Sequence, residues 1–133
     1  MSDLVINSTQ EQGNAPVTIL HLRGPLDGDT EGQLLEQARQ AHEGGASHLL
    51  LDLSEVTILT SAGLRAIQNI LKLFTPRQDR EVMRQHGAEP YKSPYFKLVC
   101  PNPEMYYVLN IAGFLQNLLI YNDLNEAVRS FGA

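Results

Sequence analysis

The chain has 133 residues, of which 43% are hydrophobic and 19% are charged. This length allows one domain with its own core but not two ordinary ones, and the composition is that of a globular protein. The formal net charge of −5 argues against an overall attraction to nucleic acid or anionic lipid. We expect a cytoplasmic protein without a membrane span, because the chain has one cysteine, no signal-peptide pattern and no apolar run of about 18 residues.

Two short apolar segments near the start predict neighbouring antiparallel strands, at residues 4–6 and 17–22. The polar stretch between them, through Ala15, is expected to form a loop, and Gly24-Pro25 is expected to end the second strand. The spacing Thr30-Glu31-Gly32-Gln33 then predicts a helix with a capping box, in which Thr30 is the N-cap and Gln33 reaches back to it.

The middle of the chain alternates between strand and helix patterns. Residues 48–53 contain the uninterrupted run Leu49-Leu50-Leu51, which predicts a strand buried on both faces of a parallel sheet. A polar connection is expected at Ser54-Glu55. Apolar residues at helical spacing from Leu64 to Phe74 predict the next helix, and Pro76 ends it.

The remaining strands are predicted at residues 96–100 and 118–121. The helices that follow them are expected to begin at the N-cap residues Asn102 and Asp123. Residues 75–94 differ, because they hold three prolines and many charges but few core candidates. We predict that this segment is a surface insertion with one short helix near residues 79–85.

This order of elements predicts one α/β domain over residues 1–133. Strands that alternate with helices need crossover connections, so the sheet should be mostly parallel. We expect about five strands, one of them antiparallel, and about four helices that lie mainly on one face.

The turn Thr60-Ser61-Ala62-Gly63-Leu64 is the main candidate for a functional site. It leads from a buried strand into an amphipathic helix, and open α/β sheets bind ligands and partners at the carboxyl ends of their strands. Unpaired N–H groups collect at a helix start and attract anions, while Gly63 keeps the first turn free of bulk. On these grounds alone, Ser61 is either a simple helix cap or a contact and phosphate site.

Three segments together resemble the STAS family, namely residues 23–30, residues 50–64 and residues 108–114. This family comprises anti-sigma-factor antagonists and related cytoplasmic domains of sulfate transporters. Its pattern is a strand that ends in G-x-L-D and, later, a buried strand followed by D-S-S/A-G-L. The chain has Gly24-Pro25-Leu26-Asp27 at the first place, and Thr60 stands where the acidic residue of the second is usual.

The resemblance implies a non-catalytic protein that binds an anti-sigma factor/serine kinase and dissociates from it when the motif serine is phosphorylated. That serine is Ser61, and Thr60 is a secondary candidate that either accepts phosphate or caps the helix. The implied partner-binding residues follow the family motifs: Asp27, Thr60, Ser61, Ala62, Gly63 and Leu64.

Two other classes of function stay open at this point. One is a STAS scaffold, never phosphorylated, or a subunit of a larger regulatory or transport assembly. The other is a small enzyme or nucleotide-binding protein of flavodoxin-like topology, but the chain has no phosphate-binding loop, no nucleophile elbow and no metal-ligand spacing. We therefore predict no metal, no cofactor and no direct nucleic-acid binding, and leave open whether the protein forms a homodimer.

Overall fold

A five-stranded sheet organises the chain in the computed structural model, which describes residues 3–84, 91–113 and 116–132. The elements in chain order are β1 (Val5–Gln12), β2 (Pro16–Leu26), α1 (Glu31–Glu43), β3 (Leu49–Leu59), α2 (Ser61–Phe74), α3 (Arg77–Arg84), β4 (Phe96–Val99), α4 (Pro103–Ile111), β5 (Ile120–Tyr121) and α5 (Leu124–Ser130). The strands lie in the order β1-β2-β3-β4-β5, and β1 pairs antiparallel while the other pairings are parallel. The predicted α/β fold is thus confirmed, and α3 is the short helix expected near residues 79–85, in addition to the four others.

The central strand β3 is covered on both faces. Leu49, Leu50 and Leu51 are fully buried there, as the apolar run predicted. Residues of α1, α2 and α4 form the larger core cluster on one face of the sheet, and α5 forms a smaller cluster with Leu50 on the other. The helices therefore lie mainly on one face.

The first strand is longer than predicted. β1 runs to Gln12 through the polar stretch that we expected to be a loop, and it pairs with β2 from Val5–Arg23 to Gln12–Pro16. The expectation was wrong because an edge strand needs only backbone pairing, and most side chains of β1 are exposed. Such a strand shows little hydrophobic pattern.

The strands β2 and β3 also continue past their predicted ends. β2 passes through Gly24-Pro25 with a register shift, which Gly24 permits by adopting a φ of +112°. β3 passes through the expected polar connection and ends at Leu59. As a result Leu26 and Leu59 are paired, and the segments that follow β2 and β3 begin side by side.

Two of the three predicted N-cap residues cap their helices through side-chain hydrogen bonds. Asn102 accepts hydrogen bonds from the backbone N–H groups of Glu104 (2.9 Å) and Met105 (3.2 Å). Asp123 accepts one from the N–H of Glu126 at 3.0 Å. These caps were predictable because donor and acceptor are near neighbours in the chain.

Thr30 is the N-cap residue of α1 as predicted, but the predicted capping box does not form. The Thr30 hydroxyl instead donates to the carbonyl of Pro25 (2.9 Å) and accepts from the N–H of Asp27 (2.9 Å). The side chain of Gln33 donates to the carbonyl of Leu4, also at 2.9 Å. In the turn after β2, the Thr30 hydroxyl bonds to backbone groups at the end of the strand, and Gln33 bonds to the backbone of Leu4. Neither side chain therefore caps α1.

Candidate functional site

The ends of β2 and β3 place the predicted site residues next to each other. Beyond the Leu26–Leu59 pair, the N–H of Thr60 donates to the carbonyl of Leu26 at 3.1 Å. Asp27 and Ser61 therefore follow adjacent strand ends at the carboxyl edge of the sheet. This edge is where open α/β sheets bind partners.

Ser61 is the first residue of α2, and its side chain is exposed. The N-cap position belongs to Thr60, whose backbone is extended and whose carbonyl accepts from the N–H of Leu64 at 2.9 Å. The interpretation of Ser61 as a simple helix cap is therefore wrong. Its hydroxyl lies in solvent at the positive end of the helix dipole.

The hydroxyl of Thr60 is enclosed. Its Oγ1 atom is buried without a hydrogen-bond partner in the part of the chain that the structure describes, and it makes no cap bond to α2. Thr60 is the N-cap residue of α2, but the expectation that its side chain caps the helix is wrong, because the hydroxyl makes no hydrogen bond to the N–H groups of the first turn. Those groups have no side-chain cap from Thr60.

Gly63 is buried between α2 and the strand ends. A Cβ atom at this position would lie 2.6 Å from the carbonyl oxygen of Leu26 and 2.9 Å from side-chain atoms of Leu26 and Leu59. Such distances are well below van der Waals contact, so only glycine lets the helix come this close. The sequence predicted that another group approaches Gly63 closely, and that group is the end of β2 in the same chain.

The loop after β2 forms the other half of the site. Asp27 is half-buried, and its carboxylate accepts from the N–H of Asp29 at 3.0 Å. Its carbonyl accepts from the N–H of Glu31 at 2.9 Å, which begins α1. Gly28 faces Ala62, since a Cβ on Gly28 would lie 3.9 Å from the Ala62 Cβ. The loop and the turn are therefore one surface.

The other two motif residues are less accessible than Ser61. Ala62 and Leu64 are both half-buried, and Leu64 packs against the core. Of the motif turn, Ser61 is thus the most exposed side chain.

An ion pair borders this surface, and the sequence analysis missed both of its residues. Arg65 lies 3.6 Å from Glu31 and so joins the first turns of α1 and α2. Arg65 follows Ser61 by one helical turn, a spacing that could have been read from the sequence. The part played by Glu31 could not be predicted from the sequence, because it depends on α1 and α2 lying side by side.

A second polar cluster, also not predicted, crosses three strands on the α5 side of the sheet. His21 lies 2.9 Å from both the Thr9 hydroxyl and the Asp52 carboxylate, through its two ring nitrogens. Asp52 also accepts from the Ser54 hydroxyl at 2.6 Å. The cluster connects β1, β2 and β3, and it lies outside the candidate site.

The sequence profile of one known domain matches the chain over residues 8–84, and this domain is the STAS domain. These residues are more than half of the chain and include Asp27 and the whole Ser61 turn. The chain belongs to the STAS domain family. A comparison of this STAS domain with curated protein sequences finds no significant match.

Solved structures of anti-sigma factor antagonists share the fold of this STAS domain. One from Mycobacterium paratuberculosis is 18% identical with a TM-score of 0.75, covering 98% of this chain and 96% of that one. A Thermotoga maritima protein, proposed to be such an antagonist, is 22% identical with a TM-score of 0.72 and coverages of 96% and 95%. The Bacillus cell fate determinant SpoIIAA, in its phosphorylated form, is 14% identical with a TM-score of 0.61 and coverages of 93% and 96%.

The helices of this STAS domain are short. Within residues 3–84, 91–113 and 116–132, none is long and apolar enough to cross a membrane.

Proposed function

We propose that this STAS domain is a non-catalytic, cytoplasmic anti-sigma-factor antagonist that binds an anti-sigma factor/serine kinase and is released when Ser61 is phosphorylated. The observation that carries the proposal is the exposed Ser61 at the first position of α2, beside the Asp27 loop. A phosphorylated form is known for SpoIIAA, one of the solved relatives, which supports the idea that this fold accepts phosphate.

The burial of the two hydroxyl groups favours Ser61 over Thr60 as the phosphate acceptor. A kinase must reach the oxygen that it phosphorylates, and the Oγ1 atom of Thr60 is buried. The Ser61 side chain is exposed and needs no opening of the fold. We therefore retain Thr60 as the secondary candidate only.

Phosphorylation would act on the interface through charge. A phosphate adds about −1.5 to −2 charges, and within this chain the helix dipole and Arg65, one turn away, offset part of that charge. At a packed interface, Asp27 and Glu31 stand nearby, and a desolvated phosphate without a new cationic partner costs several kcal/mol. Since about 1.4 kcal/mol is tenfold in affinity, one phosphate is enough to end binding.

The test uses the anti-sigma kinase encoded nearest to the gene of this chain. The protein is incubated with that kinase and ATP, and the phosphate is located by mass spectrometry. We expect phosphate on Ser61, retained in Thr60→Val and lost in Ser61→Ala. We also expect Ser61→Asp to bind the kinase at least about tenfold more weakly than wild type, with unchanged thermal unfolding. Equal affinities, or phosphate on neither residue, would contradict the proposal.

A second candidate function is a STAS scaffold or assembly subunit that uses the same surface and is never phosphorylated. The residue that favours it is Thr60, which replaces the acidic residue usual in the family motif with an enclosed hydroxyl. A kinase that reads that acidic charge would not recognise this turn. Stable binding to the partner without phosphate transfer, in the same experiment, would identify this function.

A further inference from the structure

Positive charge is concentrated on α2 and α3, although the chain as a whole is acidic. Residues 61–84 contain five of the ten basic side chains and two of the 15 acidic ones, which gives this segment a formal charge of +3 on a chain of −5. The basic residues are Arg65, Lys72, Arg77, Arg80 and Arg84. An asymmetry of this kind attracts an acidic partner to one side of the molecule.

A groove of about 490 Å³ lies between α2 and α3, and several of these basic side chains line it. It is lined by three basic side chains, two apolar ones and one amide: Lys72, Arg80, Arg84, Leu73, Met83 and Asn69. Among the described residues, no acidic side chain lines it. The groove thus combines a cationic border with an apolar floor.

Both acidic residues of α3 have partners, Asp79 outside the groove and Glu81 at Arg84 of the groove. Asp79 accepts from the hydroxyl of Tyr91 at 2.9 Å, and burial, together with the Asp79 carboxylate, raises the pKa of Tyr91. Glu81 lies 3.4 Å from Arg84 in a pair whose two side chains are both exposed. Such a pair is weak, so an acidic ligand can displace Glu81.

The groove is held in shape by Arg80. Its guanidinium donates from Nε to the carbonyl of Thr75 at 3.2 Å and from Nη2 to the carbonyl of Lys72 at 3.3 Å. These bonds attach α3 to the end of α2. Because the two helices are already connected, a ligand would not need to order them.

The groove continues the exposed face that begins at Ser61. Ser61, Arg65, Asn69 and Lys72 are all exposed and follow one another at three- and four-residue spacing along α2. Lys72 lies about 16 Å from Ser61 along the helix axis. A protein that covers the start of α2 can therefore extend a segment into the groove.

We propose that this groove binds an acidic protein segment with an apolar side chain, supplied by the same partner that contacts Ser61. The identity of that partner rests on the proposed function, whereas the chemistry of the groove does not. Carboxylates would pair with Lys72 and Arg84, and the apolar side chain would cover Leu73 and Met83. Nucleic acid and anionic lipid are disfavoured, because they gain little from an apolar floor and are repelled by the acidic remainder of the chain.

The experiment compares two double variants with the same change of charge. Lys72→Glu/Arg84→Glu alters the groove, while Lys92→Glu/Arg129→Glu alters two other exposed cations and serves as control. The probes are a labelled peptide that alternates glutamate with leucine, its glutamate–serine counterpart, a DNA duplex and vesicles that contain phosphatidylserine. Fluorescence anisotropy and co-sedimentation measure binding, and circular dichroism checks the fold of each variant.

We expect the glutamate–leucine peptide to bind wild type best, and to lose about tenfold or more in the groove variant but less than about twofold in the control. Its affinity should fall as salt is raised. Equal loss in both variants, preference for the DNA or the vesicles, or no peptide binding would overturn the proposal. These outcomes are independent of the kinase assay, so failure of the proposed function would be seen separately.

Discussion

The guanidinium of Arg65 lies 3.6 Å from the carboxylate of Glu31, and this ion pair joins the first turns of α1 and α2 at the border of the candidate site. Arg65 is largely exposed, so the pair contributes at most about 1 kcal/mol to stability. Arg65 is also one helical turn from Ser61, where a phosphate would compete with Glu31 for it. The pair should therefore change if Ser61 is phosphorylated as proposed.

The first prediction concerns the second ionisation of a phosphate on Ser61, measured by ³¹P NMR titration. A nearby cation stabilises the dianion and lowers its pKa, so Arg65→Gln should raise the pKa of the phosphate by about half a unit. Lys72→Gln removes the same charge about 16 Å away along α2 and should leave the value unchanged. An identical pKa in wild type and Arg65→Gln would mean that Arg65 does not pair with the phosphate.

The second prediction concerns the close packing of α2. Gly63→Ala places a Cβ 2.6 Å from the carbonyl oxygen of Leu26, and should lower the free energy of unfolding by about 1–3 kcal/mol. Gly32→Ala is the control, since a Cβ at that position in α1 meets nothing within 4 Å. It should leave stability unchanged or raise it by up to about 1 kcal/mol. Urea unfolding measures both, and a Gly63→Ala protein as stable as Gly32→Ala would refute the predicted overlap.

The third prediction tests the enclosed hydroxyl of Thr60. Thr60→Val keeps the shape and removes a buried oxygen that has no partner among the described residues, so the free energy of unfolding should rise by about 1 kcal/mol. Thr30→Val is the matched control, because the buried Thr30 hydroxyl bonds to Pro25 and Asp27. It should lose about 1–3 kcal/mol. Similar losses in both variants would show that the Thr60 hydroxyl is satisfied.

The fourth prediction is a pH dependence at Lys97. Its ammonium group is buried, donates to the carbonyl and hydroxyl of Ser130, and lies 4.6 Å from the centre of the Phe131 ring. Burial lowers the pKa of Lys97 below its usual value. In the pH range between the folded and unfolded pKa values, the unfolded chain binds more protons, so stability rises with pH.

The test is the free energy of unfolding of wild type minus that of Lys97→Met, measured from about pH 7 up to about pH 10. The difference should shift in favour of wild type as the pH approaches the usual lysine pKa. Lys92→Met, at an exposed position, should show no such change. A constant difference for Lys97→Met across this range would contradict the prediction.

Much of the fold follows from patterns that are local in the sequence. The burial of Leu49-Leu50-Leu51 was predictable because an uninterrupted apolar run suits a strand covered on both faces. The cap at Asn102 was predictable because its donors, at Glu104 and Met105, are near neighbours. The crossover order then required a mostly parallel sheet.

Several of the errors have a different cause, since they depend on groups that are distant in the chain. Gln33 is bonded to the carbonyl of Leu4, which no reading of one helix start could reveal. At the candidate site, the resemblance to the STAS family identified Asp27 and the Ser61 turn. It did not reveal that the Thr60 hydroxyl is enclosed or that Arg65 pairs with Glu31, because both depend on how α1, α2 and the strand ends pack.

The hydrogen bonds of His21 have a consequence for the first strand. β1 is an edge strand with mostly polar side chains, so hydrophobic burial contributes little to the register in which it pairs with β2. Its Thr9 hydroxyl bonds to His21, which in turn bonds to Asp52 on β3. A slip of one residue would turn Thr9 to the opposite face, and a slip of two would carry it past the imidazole. A specific polar contact thus acts together with the short hairpin turn and with Ile6, which packs against the core, in setting the alignment of this edge strand.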